Sequence, residues 1–129
     1  MAIRVASRSI TRILVADGDP HVRRLFARKL RYAGYQVNAV KSGGEALRLL
    51  RAMCYRLLVL NLDMPGIDGF DVLKAVRSEL PHVQVLVVSG YRQSALLEAA
   101  EFLGARLALD KASAPRLLVE TARRLLGDH

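Results

Sequence analysis

The sequence contains a single cysteine, Cys54, and no tryptophan. One thiol excludes an intramolecular disulfide framework and any cysteine-based metal cluster, and it makes a reducing, cytoplasmic compartment the expectation. Aromatic side chains are scarce. Three Phe and four Tyr leave little for the stacking platforms on which single-stranded nucleic acid is held. No apolar run nears the roughly twenty residues of a membrane span, and the longest, at Leu57–Leu60 and Val85–Val88, are strand-sized. GxGxxG and P-loop spacings are absent, so a nucleotide site has no support. His21, His82 and His129 are scattered without zinc-ligand spacing. Negative charge is scarce in one half only. Residues 1–56 hold twelve basic and three acidic side chains, against eight and nine in residues 57–129.

What remains is ordinary globular material, 52% hydrophobic and 25% charged, with a formal net charge of +8. A chain of this length suits one compact domain that needs no disulfide or metal staple. Residues 1–11, with Arg4 and Arg8 among small and hydroxylated residues, read as a flexible leader, and 12–129 as the domain. The positive excess raises two candidates, nucleic acid and an acidic protein or membrane surface. The plainer alternative is a set of solvated arginine-rich helix faces, with Arg24, Arg28 and Arg31 on one helix and Arg116, Arg123 and Arg124 on another.

From Arg12 onward, β-rich apolar runs alternate with stretches of helical periodicity. The runs fall at Ile13–Ala16, Gln36–Val40, Leu57–Leu60, Gln84–Val88 and Arg106–Leu109. Three of them are nearly continuous Val, Leu and Ile, the pattern of strands covered on both faces. Between the first two, Val22, Leu25, Phe26 and Leu30 recur at helical spacing. Asp19-Pro20 offers a helix cap followed by proline at the first helical position, and Gly34 closes that helix. Ser42-Gly43-Gly44-Glu45 has capping-box spacing ahead of Ala46–Met53. Further helices are expected at Phe70–Leu80, Gln93–Leu103 and Pro115–Leu126. Five β–α units in series predict an α/β fold, a doubly wound parallel sheet with right-handed crossovers. In such sheets, sites lie beyond the carboxyl ends of the strands. Cys54, beside Met53 and Tyr55, is expected to be buried or half-buried.

The strand ends carry Asp17-Gly18-Asp19, Asn61-Leu62-Asp63-Met64-Pro65-Gly66, Ser89-Gly90 and Lys111. The segments ILVADGDP with Arg23 shortly after, NLDMPGIDGF, VLVVSG, and Gly104-Ala105 followed by Lys111, taken in order, resemble the receiver domain of two-component response regulators. The resemblance spans about Arg12 to Leu126. It implies a CheY-like, flavodoxin-like (βα)5 sheet of strand order 2-1-3-4-5. It also implies phosphoryl transfer from a kinase phosphohistidine to an aspartate, assisted by Mg2+. That chemistry needs a carboxylate nucleophile and further acids for a hard, oxygen-preferring cation.

Against the family pattern, several positions depart. The phosphoacceptor-equivalent residue is Asn61, and a carboxamide neither attacks nor attracts metal. The acidic pair is degenerate: Asp17 remains, Gly18 replaces its partner, and Asp19 follows. Ser89 and Lys111 match the positions that contact the phosphoryl group. The switch position is Ala108 in place of an aromatic, and Ala112 replaces the proline after the lysine. Asp63 falls where the family contributes a backbone carbonyl to the metal. It shares with Asp19 the role of alternative acceptor. Asp17 opposite Lys111 is expected to form a neutral pair, giving weak or no Mg2+ binding and a pocket fixed in one state. The expected function is therefore that of a non-enzymatic pseudo-receiver acting through protein–protein contacts. Its expected partner is a histidine kinase or another two-component protein, with a homodimer through the fourth helix, fifth strand and fifth helix as a further expectation. A basic nucleic-acid-associating protein on the same scaffold is the alternative.

Overall fold

A computed structural model describes residues 11–62, 64, 69–90, 98–101 and 103–128. The strands are β1 Arg12–Ala16, β2 Gln36–Val40, β3 Leu57–Asn61, β4 Gln84–Ser89 and β5 Leu107–Asp110. The helices are α1 Pro20–Tyr32, α2 Gly43–Ala52, α3 Gly69–Glu79, the helical residues 98–101 as α4, and α5 Ala114–Leu126. Every expected strand is found within a residue of its anticipated bounds. The expected helix Gln93–Leu103 is described only in part, and its first residues lie outside the described ones. So do the leader residues 1–10. Thr11 is buried, and its carbonyl accepts the Gln36 N–H at 3.0 Å, so the folded unit includes it.

All strands run parallel in the order β2-β1-β3-β4-β5, which leaves β2 and β5 as edges. The central strands are the continuous apolar ones, because helices cover both of their faces. On one face, Ile13, Val15, Leu57 and Val59 pack with Phe26 and Leu30 of α1 and Leu118 and Ala122 of α5. On the other, Leu14, Leu58 and Leu60 pack with Leu47 and Leu50 of α2 and Val72 and Val76 of α3. β2 reads less clearly from sequence because, as an edge, it exposes Gln36, Asn38 and Ala39.

The caps behave as their residue types dictate. The Asp19 carboxylate accepts the His21 N–H at 2.9 Å, and Pro20 opens α1. α2 starts at Gly43, ahead of the expected Ala46, because Ser42 Oγ accepts the Glu45 N–H at 3.3 Å. The Glu45 carboxylate reaches back to the Lys41 N–H, one residue beyond its usual partner in a capping box. Gly34 at φ 106° lets the chain leave α1 in the left-handed region. Gly69 has a packing role: a Cβ there would stand 2.7 Å from Leu62 Cα, so only glycine lets α3 begin against the end of β3.

Candidate functional site

The sheet topology brings four of the singled-out residues to one edge. Strand order places the ends of β1, β3, β4 and β5 side by side, with register pairs Ala16–Leu60, Asn61–Val88 and Ser89–Asp110. Asp17, Asn61, Ser89 and Lys111 therefore follow one another along the carboxyl edge, where ligands bind in doubly wound sheets. Asp17, Asn61 and Ser89 are all buried.

Asp17 is bound into the end of β1 through both backbone and side chain. Its N–H donates to Val40 O at 3.1 Å, extending the β1–β2 pairing by one residue. Its carbonyl accepts Arg23 Nη1 at 2.9 Å, which ties the β1–α1 loop to the first turns of α1. Its carboxylate Oδ1 accepts the Asp19 N–H at 2.8 Å and Asn61 Nδ2 at 3.2 Å. The Asn61 carboxamide thus acts as a donor toward the buried Asp17 carboxylate, filling with a neutral hydrogen bond a place where a second carboxylate would repel.

Asp19 faces elsewhere. Its hydrogen bond from the His21 N–H holds its carboxyl below the ordinary value, assisted by the Val22 N–H and by the charges of Lys111 and His21, against a smaller opposing effect of burial. The expected Asp17–Lys111 ion pair is not formed: among the described residues the pair within 4.0 Å is Arg51–Glu79. Asp17 Oδ1 accepts its two hydrogen bonds from the chain itself, and the Lys111 charge acts on Asp19. The Lys111 backbone N–H donates to Ser89 O at 2.6 Å, which locks β5 onto β4 at the edge. Ala108 is partly buried and packs against the core on the α2–α3 face. Asp63 and Pro65–Asp68 lie outside the described residues. Among the described residues, no group of three or more His, Cys, Asp or Glu side chains could hold a metal ion.

Sequence reasoning misses three features. Cys54 is exposed, because the extended backbone of Met53 carries the chain off α2 and it is Tyr55 that turns inward, 1% exposed. The Tyr55 hydroxyl donates to Asn38 Oδ1 at 2.7 Å, and burial pushes its pKa up. Asp110 holds the residue that precedes α5: its carboxylate accepts the Ser113 N–H at 2.9 Å and the Ser113 hydroxyl at 3.2 Å. The Asp-x-x-Ser spacing before a helix is the signal that could have found it.

A parallel sheet of order 2-1-3-4-5 with polar side chains gathered at its carboxyl edge defines a doubly wound α/β domain of the flavodoxin-like class. Residues 13–123 match the response regulator receiver domain, and the chain belongs to that family. It is 34% identical over 119 residues to the transcriptional activator protein ExaE of Pseudomonas putida, covering 91% of this chain and 56% of ExaE. It is 31% identical to the response regulator protein FleR of Pseudomonas aeruginosa, covering 90% of this chain and 25% of FleR. The chain thus spans about half and a quarter of these relatives' lengths. Among solved structures, the response regulator TrrA of Thermotoga maritima, in complex with Mg2+–BeF, superposes with a TM-score of 0.80 at 27% identity, over 90% of this chain and 99% of TrrA. The chain is thus a two-component response-regulator receiver domain. Among the described residues, no helix is long and apolar enough to cross a membrane.

Proposed function

We propose that this receiver domain signals through protein–protein contacts without an aspartyl phosphate. The observation that carries the reading is Asn61. The residue at the acceptor-equivalent position is a buried carboxamide whose Nδ2 donates to Asp17 at 3.2 Å. A carboxamide nitrogen or oxygen is no match for a carboxylate as a nucleophile toward phosphorus. In this reading Ser89 and Lys111 keep the positions of the phosphoryl-contacting pair, Ala108 leaves the switch without its aromatic ring, and the domain stays in one state.

The donor set also fits Mg2+ poorly. Mg2+ asks for oxygen ligands, usually one or two carboxylates. Gly18 offers no side chain, Asn61 turns N–H groups toward the place a cation would occupy, and Asp17 Oδ1 already accepts two hydrogen bonds. The Asp19 carboxylate serves α1 as its cap. Bound Mg2+ would supply charge neutralisation for a phosphoryl group, and among the described residues Asp17 is the buried carboxylate that would hold it. Weak or absent Mg2+ binding follows, as does a poor prospect for Asp19 as a substitute acceptor. The partner in this reading is a histidine kinase or another two-component protein in the cytoplasm, met through the loops of the carboxyl edge, with self-association through α4, β5 and α5.

The test is incubation with acetyl phosphate and Mg2+, followed by intact-mass and peptide mass spectrometry, of the parent and of Asn61→Asp combined with Gly18→Asp. Gly18 has no left-handed backbone, so aspartate is tolerated there. The parent is expected to stay unmodified and the double variant to gain one phosphoryl group. A phosphorylated parent, mapped to Asp63, Asp19 or any other residue, overturns the reading.

A further inference from the structure

We infer that the groove between α1 and the open edge of β2 binds an extended acidic segment of a partner polypeptide. This goes beyond the proposed function and does not rest on the chemistry of Asn61. The groove has a volume of about 620 Å3. Its floor is made of small side chains, Ala27 and Ala39, and its walls include Arg24, Arg28 and Arg31, with Tyr32 at the rim. Tyr32 is 95% exposed, an unusual placement for a large aromatic.

The charge here has no internal counterpart. α1 carries no acidic residue along its thirteen positions. Among the described residues, the ion pair within 4.0 Å lies elsewhere, between α2 and α3. Arg24 and Arg28 are exposed one helical turn apart, where two like charges destabilise a helix unless something neutralises them. Arg31 is pinned: its Nη2 donates to Val37 O at 2.8 Å, so its guanidinium bridges helix and strand. The second arginine cluster differs. Arg123 and Arg124 share their groove with Glu120 and Asp128, so acids of the same chain already interleave with them.

The edge of β2 identifies the kind of occupant. The Gln36 N–H and Val40 carbonyl turn inward to Thr11 O and the Asp17 N–H. Strand alternation therefore turns the backbone groups of Val37 and Ala39 outward. Arg31 takes the Val37 carbonyl, and Ala39 presents both an N–H and a C=O at the groove floor. An extended peptide offers the matching donor and acceptor, as in strand addition to an open sheet edge. Its Asp or Glu side chains meet the arginines in bidentate geometry, and its small apolar side chains rest on the alanines. A phosphate backbone offers acceptors only and gains nothing from an outward carbonyl or an alanine floor, which favours polypeptide over nucleic acid. The α1 face of a second copy is equally free of acids and is no match for this groove.

The experiment is fluorescence anisotropy on the full chain, using a labelled peptide that alternates glutamate with valine. Its serine-for-glutamate counterpart and a single-stranded oligonucleotide of equal charge serve as comparisons. The acidic peptide is expected to bind, and Arg24→Glu with Arg28→Glu to weaken it by at least about tenfold. Arg48→Glu, an exposed arginine of α2, is expected to leave binding unchanged. Amide NMR shifts on peptide addition should centre on residues 24–39. Absence of acidic-peptide binding, equal loss in the Arg48 variant, shifts centred elsewhere, or tighter binding of the oligonucleotide would each overturn the inference. The last outcome would assign the groove to nucleic acid instead.

Discussion

The carboxyl edge of the sheet and the α1–β2 groove treat charge in opposite ways. At the carboxyl edge the described carboxylates of Asp17 and Asp19 accept hydrogen bonds from the chain itself. The Asp17 carboxylate takes hydrogen bonds from the Asp19 N–H and the Asn61 carboxamide, and the Asp19 carboxylate caps α1. In the groove, guanidinium groups stand together with no carboxylate of the described chain within ion-pair distance. The net charge of +8 therefore has two origins of different kinds. At the edge, the strand-end loops carry the uncharged Asn61 and Gly18 beside Asp17. On α1, arginines have accumulated without acids between them. A site that satisfies itself asks little of a ligand, whereas one that repels itself gains most from an oppositely charged partner.

The largest expected effect comes from adding a carboxylate at the edge. Asn61→Asp replaces a donor facing Asp17 at 3.2 Å with a second anion in a buried position. Loss of the hydrogen bond to a charged group, with repulsion added, is expected to cost about 1–3 kcal/mol at neutral pH. The sign of its pH dependence follows. Burial and the neighbouring charge raise the new carboxyl's folded-state pKa above its unfolded value. The deficit is therefore full above that folded-state pKa and closes as the pH falls below the ordinary carboxylate range. Urea midpoints of parent and variant at neutral and acidic pH measure this. Equal stability at neutral pH would show that the edge can absorb a second charge, and the contrast between the two regions would weaken.

Much of the fold was legible because its central strands are apolar on both faces and its helices carry local punctuation. Ile13–Ala16 and Leu57–Leu60 read as buried strands for that reason, and Asp19-Pro20 marked the start of α1. The candidate edge was legible as a set of loops, since strand ends converge in any doubly wound sheet. What was not legible was which atoms engage which. Asp17, Asp19 and Lys111 looked like one electrostatic cluster. The Asn61 contact with Asp17 depends on side-chain directions that spacing does not encode. Cys54 shows the same limit at a helix end: one extended residue, Met53, decides whether Cys54 or Tyr55 turns inward. The arginines of α1 read correctly as one face, but their joining with Ala39 into a groove needed the placement of an edge strand.

A smaller effect tests whether Asp19 belongs to the helix or to the edge. Its carboxyl is held below the ordinary 3.8, chiefly by the His21 N–H. A depressed carboxyl stabilises the fold above its unfolded value, and that contribution is lost as the pH falls through the folded value. Asparagine caps helices about as well as aspartate but does not titrate there. Asp19→Asn is therefore expected to change stability little at neutral pH and to flatten the acid limb of the stability profile below 3.8. Denaturant midpoints across that range are the measurement. A large loss at neutral pH would mean that the Asp19 charge is used at the edge, through Lys111, and not only at the cap.

A modest effect on α1 has the opposite sign and sharpens the contrast most. Arg24→Glu converts a like-charge pair with Arg28 into an attractive one, with the acid N-terminal to the base, which is the better orientation on a helix. Relief of repulsion and gain of attraction together are expected to raise stability by roughly 0.5–1 kcal/mol. The gain should shrink as salt screens it. The same substitution removes a guanidinium from the groove, so stability should rise while acidic-peptide binding falls. That pairing marks a surface kept for binding at some expense to the fold. If Arg24→Glu lowers stability at low salt, the arginine is holding α1 in place by packing along its stem, and the repulsion argued for the groove is absent. Adding one carboxylate thus costs stability at Asn61 and gains it at Arg24, and urea titrations of the parent and both variants at low salt read both signs.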